Sequence, residues 1–491
     1  AHSVMTAYNA INGVPASVNT MLLQDMLREE WGFDGYVVSD CGAVADVVFN
    51  HKYITDPEKA VAEVVKAGLD LECECCGQEE SLFDNYLEDA VEKGYITEEE
   101  IDGAVGRLMR ARFLLGMFDP PERVPYSKIP EDIIESETHQ QLALETARKS
   151  IILLENKDNF LPINREEIKS VAVIGPNANV CRFGNYTGVP ANPITPLDGI
   201  KNLLGPTVEV MYAQGCDLEK DEVYIDDLDI ADKADLVILA MGTSLKIETE
   251  ENDRTSLDLP ESQVKLIQEV YKKNKNVVLV LINGSPLATN WSTENLPAIL
   301  EAWYPGQSGG QAIAEVIFGE YNPAGRLPMT AYKSTEQLQD FSEYDITKGQ
   351  TYMYLEEAPL YPFGYGLSYT SFEYDQLKVT STNISLKDQI KVSVSLEVAN
   401  SGEIGGDEVV QLYVIDKSSS VVQPLKELRG FKRVSLDEEA RQTISFDLTN
   451  EDFSFWDEST NAWKIEPGAF EIQVGASSTD IRLSETLEIG L

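Results

Sequence analysis

The chain has 491 residues, 43% of them hydrophobic, and a formal net charge of −44. A surface this acidic repels nucleic acid and anionic membrane, and it suits a neutral partner such as a sugar. No apolar run approaches the ~18 residues of a membrane-spanning helix, and the length points to about three domains.

Val4-Met5-Thr6-Ala7-Tyr8-Asn9 reads as a buried strand, and Ile11-Asn12-Gly13-Val14-Pro15 turns the chain. Thr20 is placed to cap a helix through Arg28, with Leu22, Leu23, Met26 and Leu27 on one face. Next comes Trp31 to Val44, WGFDGYVVSDCGAV. Its Tyr36-Val37-Val38 run reads as a fully buried strand ending in a polar turn. Asp40 then stands at the strand's C-terminal end, where parallel α/β barrels carry their chemistry. An Asp just after a strand is equally the usual N-cap of the next helix. Pro57 opens a helix carrying Ala60, Val61, Val64 and Val65, Gly68 ends it, and Leu69-Asp70-Leu71-Glu72 reads as a short strand. This alternation is that of parallel α/β units. A helix over Leu82–Glu92 follows, and Thr97 with Glu100 forms a capping box for another that runs to about Leu115.

The six cysteines are Cys41, Cys73, Cys75, Cys76, Cys181 and Cys216. Cys73-x-Cys75-Cys76 is too compressed for a tetrahedral zinc site, and the chain has three His in all. No metal is expected. The cysteines read as reduced core or loop residues, with a Cys181–Cys216 pair left open.

Residues 119–150 read as a Pro-rich linker and a helix (His139–Lys149). Ile151–Asn156 then starts a second α/β region, with strands Ser170–Gly175, Val208–Tyr212, Leu236–Met241, Val277–Ile282 and Ala298–Ala302, and helices including Glu261–Lys273 and Gly309–Phe318. An open, mostly parallel sheet flanked by helices is the expected fold. Gly175-Pro176-Asn177-Ala178 lacks a dinucleotide fingerprint or a P-loop, so no cofactor is expected. Leu245 to Arg254, LKIETEENDR, follows a strand and carries Glu248 and Glu250. On composition alone it is a solvated acidic loop. After the aromatic connector Leu360–Thr370, alternating runs at Ile390–Val398, Val409–Val414, Arg441–Leu448 and Ala469–Val474 predict an all-β sandwich of fibronectin type III character.

WGFDGYVVSDCGAV resembles the nucleophile segment of glycoside hydrolase family 3. VAVIGPNAN, LINGSPL, WYPGQSGGQA, FGEYNPAGRLPMT and PFGYGLSYT resemble further segments of that family, in its order, and GDEVVQLYV and GAFEIQVGASS resemble its third domain. The resemblance implies an α/β plus all-β chain: the C-terminal part of a (β/α)8 barrel over 1–118, a linker and helix over 119–150, an α/β sandwich domain over 151–334, a linker over 335–370, and a fibronectin type III-like domain over 371–491. It implies that the first five or so barrel strands, with the family's sugar-gripping Asp, Arg and Lys-His, are missing.

The same resemblance implies a retaining, exo-acting hydrolase that takes oligosaccharides from their non-reducing ends. Asp40 is then the nucleophile. The acid/base is Glu250, three residues before Asp253, or Glu248 two further back. Tyr8, Arg254 and Tyr186 are the candidate substrate contacts. Cys41, His51-x-Tyr53 and Leu71-Glu72-Cys73 resemble the β-xylosidase branch, so β-linked xylose is the expected sugar, with glucose or arabinose next. Met353 departs from the family, where an Arg is common. A secreted or periplasmic setting is expected rather than a cytoplasmic one. The alternative is an inactive or carbohydrate-binding fragment, because most of the barrel is absent.

Overall fold

The computed structural model describes residues 1–74, 81–250, 252–380, 383–386 and 389–490. They form two compact units, Ala1–Ile133 and Ile134–Leu491.

In the first unit, strands Ser3–Thr6 and Tyr36–Ser39 pair in parallel, with Val4 opposite Val37 and Thr6 opposite Ser39. Leu71 adds a parallel bridge to Val38. The strand expected at Leu69–Glu72 is thus a single bridging residue. Glu72 turns away to cap the helix Leu82–Glu92, accepting from Ser81 Oγ and the Phe83 N–H, both at 2.8 Å. The strand expected to reach Asn9 stops at Thr6. Beyond it, Ala10–Ile11 and Val14–Pro15 close a small hairpin. Asn12 and Gly13 turn it with φ of 51° and 80°, as a two-residue turn of this hand requires.

The helix expected from Thr20 runs Met21–Glu30, and Asn19 is its cap: the Leu22 N–H donates to Asn19 Oδ1 at 3.3 Å. Thr20 is already helical (φ −58°, ψ −39°), so its hydroxyl has no free N–H to meet. A helix over Ala43–Phe49 escaped the sequence reading, because Val44, Val47 and Val48 favour strands by propensity. All three are buried, and packing overrides that preference. The capping box at Thr97 and Glu100 is present, opening the helix Glu98–Leu114.

One buried carboxylate ties these parts together. Asp70, its side chain fully buried, accepts from Arg28 at 2.9 Å, from Arg107 at 2.7 Å and from the Val37 N–H at 2.8 Å. Two guanidiniums and a backbone donor offset the cost of removing the charge from water. They join the helices Met21–Glu30 and Glu98–Leu114 to the strand that ends at Asp40.

The cysteines are not all reduced. Cys41 and Cys73 form a disulfide across 32 residues of sequence. The Gly42 N–H donates to the Cys73 carbonyl and the Cys73 N–H to Ser39 Oγ, both at 2.9 Å, which brings the two Cα atoms to 4.4 Å. Cys181 and Cys216 do not pair; each is a free thiol. Cys75 and Cys76 lie outside the described residues.

In the second unit, a sheet of six strands runs in the order Ile152–Asn156, Ala298–Glu301, Val277–Ile282, Leu236–Gly242, Ser170–Ile174, Glu209–Ala213. The first pair is antiparallel and the others are parallel. Alternate residues pack on opposite faces. Val278 and Val280 meet the helices Glu137–Ser150, Pro196–Leu204 and Gly309–Ile317, while Val277, Leu279 and Leu281 meet Glu261–Lys273. A strand covered on both sides must be apolar throughout, and Val277–Ile282 is.

The β-sandwich follows. Phe372–Val379, Lys391–Asn400 and Arg441–Thr449 make one sheet, and Asn383–Ser385, Ile481–Gly490, Gly468–Gly475, Gly406–Asp416 and Glu427–Leu436 make the other. Arg326, from the chain after the parallel sheet, pairs with Glu408 of the sandwich at 2.8 Å, with both side chains buried.

Peptide mapping without reductant is predicted to return one linked peptide containing Cys41 and Cys73. The Cys41→Ser/Cys73→Ser variant is predicted to lose roughly 3 kcal/mol of stability in chemical denaturation. Free thiols at both positions in the native protein contradict the disulfide.

Candidate active site

Asp40 sits at the end of Tyr36–Ser39, half-buried, with its N–H donating to the Thr6 carbonyl at 3.0 Å. Its side chain does not cap the following helix. Gly42 holds that position without a side-chain cap, and Asp40 Oδ1 instead accepts the Cys41 N–H at 2.7 Å. Capping therefore does not account for this carboxylate. Tyr8 lies beside it: the Tyr8 hydroxyl donates to the Cys41 carbonyl at 2.8 Å, and His51 Nε2 is 2.7 Å from the Tyr8 carbonyl oxygen. The disulfide at Cys41 anchors the same turn.

The second constellation lies in the other unit, on the loop after strand Leu236–Gly242. Gly242 makes the loop's start possible. It has φ of 130°, and a Cβ there would fall 2.0 Å from the Ile282 carbonyl oxygen. Glu248 then turns inward. Oε1 accepts the Gly284 N–H at 2.7 Å and the Thr243 hydroxyl, and Oε2 accepts Ser285 Oγ and Arg254 Nε, both at 2.8 Å. Burial pushes the Glu248 carboxyl up, but these donors and the Arg254 charge outweigh it and hold it below its ordinary value. Glu248 is a carboxylate with its lone pairs taken.

Glu250 is placed differently. Thr249 and Asn252 exchange backbone hydrogen bonds at 3.2 and 3.1 Å, which puts Glu250 in the tight turn they close. It is exposed, and it accepts the hydroxyl of Tyr186. Thr249 Oγ1 donates to Asn185 Oδ1 at 2.9 Å, so the Asn185-Tyr186 segment and the Glu250 turn are joined twice. Arg254 donates through Nη2 to Ser285 Oγ at 2.7 Å and to the Pro286 carbonyl at 3.1 Å. An open cleft of about 560 Å³ runs along this group, lined also by Tyr304 and Phe341.

The structure thus gathers Glu248, Glu250, Arg254 and Tyr186 in one group, and Asp40 and Tyr8 in another. Thr243, Ser285, Tyr304 and Glu301 escaped the sequence reading. Glu301 is wholly buried, and its carboxyl is pushed up to about 8 by burial, against donors from the Trp303 N–H at 3.0 Å and Asn283 Nδ2 at 3.2 Å. Asn283 in turn donates to the Ser285 carbonyl at 2.8 Å, so Glu301 stands behind the turn that grips Glu248. The signal available was a charged residue ending the apolar run AILE, where a buried strand carries no charge without a partner.

Residues 1–111 match the family model described as the glycosyl hydrolase family 3 N terminal domain, 151–369 match the family's C-terminal domain, and 408–478 match a fibronectin type III-like domain. A β-xylosidase of Formosa agariphila is 40% identical, covering 97% of this chain and 67% of that protein. A periplasmic β-glucosidase of Salmonella typhimurium is 34% identical over 98% of this chain and 66% of its own. The solved structure of an exo-β-xylosidase with a xylobiose aziridine probe aligns with a TM-score of 0.86 at 32% identity, over 100% of this chain and 66% of that one. The chain belongs to glycosyl hydrolase family 3 and is a glycoside hydrolase. It spans about two thirds of the length of these relatives.

The lowered Glu248 carboxyl has a consequence for acid stability. A group held below its unfolded value stabilises the fold above that value, near 4.5, and loses the contribution as pH falls through the folded one. The stability gap between the native protein and Glu248→Gln is predicted to be widest above about pH 5 and to close below 4.5, read by thermal melting across pH. A gap independent of pH contradicts the ionised clamp.

Proposed function

We propose that the protein carrying this chain is a retaining, exo-acting hydrolase that releases β-linked xylose from the non-reducing ends of oligosaccharides, with β-linked glucose as its second substrate. Asp40 attacks the anomeric carbon, and the bond from that carbon to the aglycone oxygen breaks. Glu250 gives its proton to the departing oxygen. Glu250, now a carboxylate, takes a proton from water, which attacks the glycosyl-enzyme and frees Asp40.

The observation that carries this reading is the contrast between two neighbouring glutamates. An acid/base must change protonation state within the cycle. Glu248 is saturated with donors and held ionised, so it positions the loop. Glu250 has its carboxyl in the turn, with the Tyr186 hydroxyl on one oxygen. Tyr186 orients it, Arg254 braces the loop through Glu248, and Tyr8 steadies the turn beside Asp40.

Xylose is favoured by Cys41 and its disulfide beside the nucleophile, and by the name of the Formosa agariphila relative. The Salmonella typhimurium relative, named a β-glucosidase, keeps glucose as the second sugar. An inactive or carbohydrate-binding role finds no support in relatives named as hydrolases. The parallel pairing at Asp40 supports residues 1–118 as the C-terminal portion of a (β/α)8 barrel; the six-stranded sheet supports an α/β sandwich domain over 151–334, and the three- and five-stranded sheets support a fibronectin type III-like domain over 371–491. The disulfide and the periplasmic relative support a periplasmic or extracellular setting.

The test compares leaving groups. Asp40→Ala is predicted to lose activity on nitrophenyl β-xyloside and on xylobiose alike, by on the order of 10⁴-fold or more. Glu250→Ala is predicted to lose roughly 10²–10⁴-fold on xylobiose and far less on nitrophenyl β-xyloside, whose leaving group needs little protonation. Glu248→Gln is predicted to lower both to a similar extent. Full activity without Asp40, or selective loss on xylobiose in Glu248→Gln instead of Glu250→Ala, contradicts the assignment.

A further inference from the structure

Glu301 is an acid that the proposed reaction does not use. It closes the strand Ala298–Glu301, is 2% exposed, and has both carboxyl oxygens occupied. Oε1 accepts the Trp303 N–H at 3.0 Å, two residues on in its own chain. Oε2 accepts Asn283 Nδ2 at 3.2 Å, from the residue just after the neighbouring strand Val277–Ile282. The carboxyl thus spans the turns that leave two adjacent parallel strands. Both turns line the cleft along the acid/base loop, the first through Gly284 and Ser285 and the second through Tyr304.

Each arm of the carboxyl leads to Glu248. Trp303 holds φ of 58°, a left-handed conformation rare for a large side chain, and its N–H is fixed on Glu301. The next residue, Tyr304, then arrives with its hydroxyl 3.1 Å from Thr243 Oγ1 and 3.4 Å from Glu248 Oε1. On the other arm, Asn283 is wholly buried, and the Nδ2 that meets Glu301 also donates to the Ser285 carbonyl at 2.8 Å. Its two hydrogens join the buried acid to the Gly284-Ser285 turn. That turn gives Glu248 the Gly284 N–H at 2.7 Å and Ser285 Oγ at 2.8 Å, and Ser285 Oγ accepts Arg254 Nη2 at 2.7 Å. An apolar side chain at the end of this strand would serve the core at lower cost. What the acid supplies is two acceptors on one short side chain, one for each turn.

We propose that Glu301 is a positioning residue for the acid/base loop: it fixes the two turns against each other and, through them, the place of Glu248 and of the loop that carries Glu250. Its part in the reaction rests on Glu250 being the acid/base proposed above. Glu301 changes no bond of the substrate. It acts by holding Gly284, Ser285 and Tyr304 at the distances that Glu248 needs.

The test is a double-mutant cycle between Glu301 and Glu248, read by thermal melting of the full chain at about pH 6, where the Glu248 gap is open. Glu301→Gln keeps the volume but turns one acceptor into a donor, so one of the two turns loses its bond. The melting gap between the native protein and Glu248→Gln is expected to shrink by roughly half or more when both carry Glu301→Gln. Ile299→Val, buried on the same strand and outside the network, is expected to lower both melts and leave the gap as it was. In a chain long enough to turn over, Glu301→Gln is expected to lower kcat on xylobiose ~5- to 10-fold, the worth of one hydrogen bond, with KM within about 2-fold and a smaller loss on nitrophenyl β-xyloside. If Glu301→Gln does not fold, Asn283→Ala, which cuts the relay one residue further on, is read in the same way. An unchanged gap, an equal narrowing by Ile299→Val, or a loss confined to KM overturns the proposal. If Glu250→Ala itself shows no selective loss on xylobiose, the acid/base reading fails, while the melting gap, read without turnover, still decides whether Glu301 holds Glu248.

Discussion

The candidate acid/base loop hangs on one carboxylate. Glu248 collects donors from Thr243 at the end of one strand, from Gly284 and Ser285 beyond the next, and from Arg254 at the far end of its own loop. Taking a carboxylate largely out of water is costly. Here the cost is offset by these donors, one of them a cation, and by the Tyr304 hydroxyl at 3.4 Å, and the carboxyl is held below its ordinary value. The consequence is geometric. A ten-residue loop with four acids, Glu248, Glu250, Glu251 and Asp253, would otherwise splay into solvent. Pinned at Glu248, it closes the short turn of Thr249 and Asn252 and holds Glu250 at a set place. Gly284 belongs to the same constraint, since a Cβ there would come within 3.2 Å of Glu248 Oε1 and 3.1 Å of the Tyr304 ring. The neighbouring buried glutamate obeys the opposite balance. Glu301 has two donors and no cation, and burial wins, raising its carboxyl to about 8.

The other unit repeats the device with another carboxylate. Asp70 is buried under two arginines and a backbone N–H, and it fixes the strand whose end is Asp40. The Cys41–Cys73 bridge and the Tyr8 hydroxyl then hold the turn just after Asp40. In each unit a well-bonded acid, Asp70 or the half-buried Glu248, stands beside a less encumbered one, Asp40 or Glu250, which is the candidate for the chemistry.

Much of this could be read from the residues. Strands apolar on both faces, such as Val277–Ile282, and the capped helix opening at Thr97 have local causes, and local reasoning found them. The family segments identified the loops that bear Asp40, Glu248 and Glu250. What stayed hidden depends on contacts distant in sequence. Composition cannot separate Glu248 from Glu250, because the difference lies in Ser285 and Gly284, more than thirty residues on. The Cys41–Cys73 bridge was missed because spacing alone does not say which cysteines the fold brings together. The helix Ala43–Phe49 was missed because its valines favour strands until burial decides.

The most direct measurement is the pH dependence of kcat/KM on xylobiose for the native protein, Glu248→Gln and Glu250→Gln, in whatever length of chain turns over. The alkaline limb of such a profile reports the group that must arrive protonated. The account predicts that this limb disappears in Glu250→Gln and survives, at reduced amplitude, in Glu248→Gln. A limb that survives in Glu250→Gln and vanishes in Glu248→Gln would contradict it, and would make the pinned carboxylate the acid.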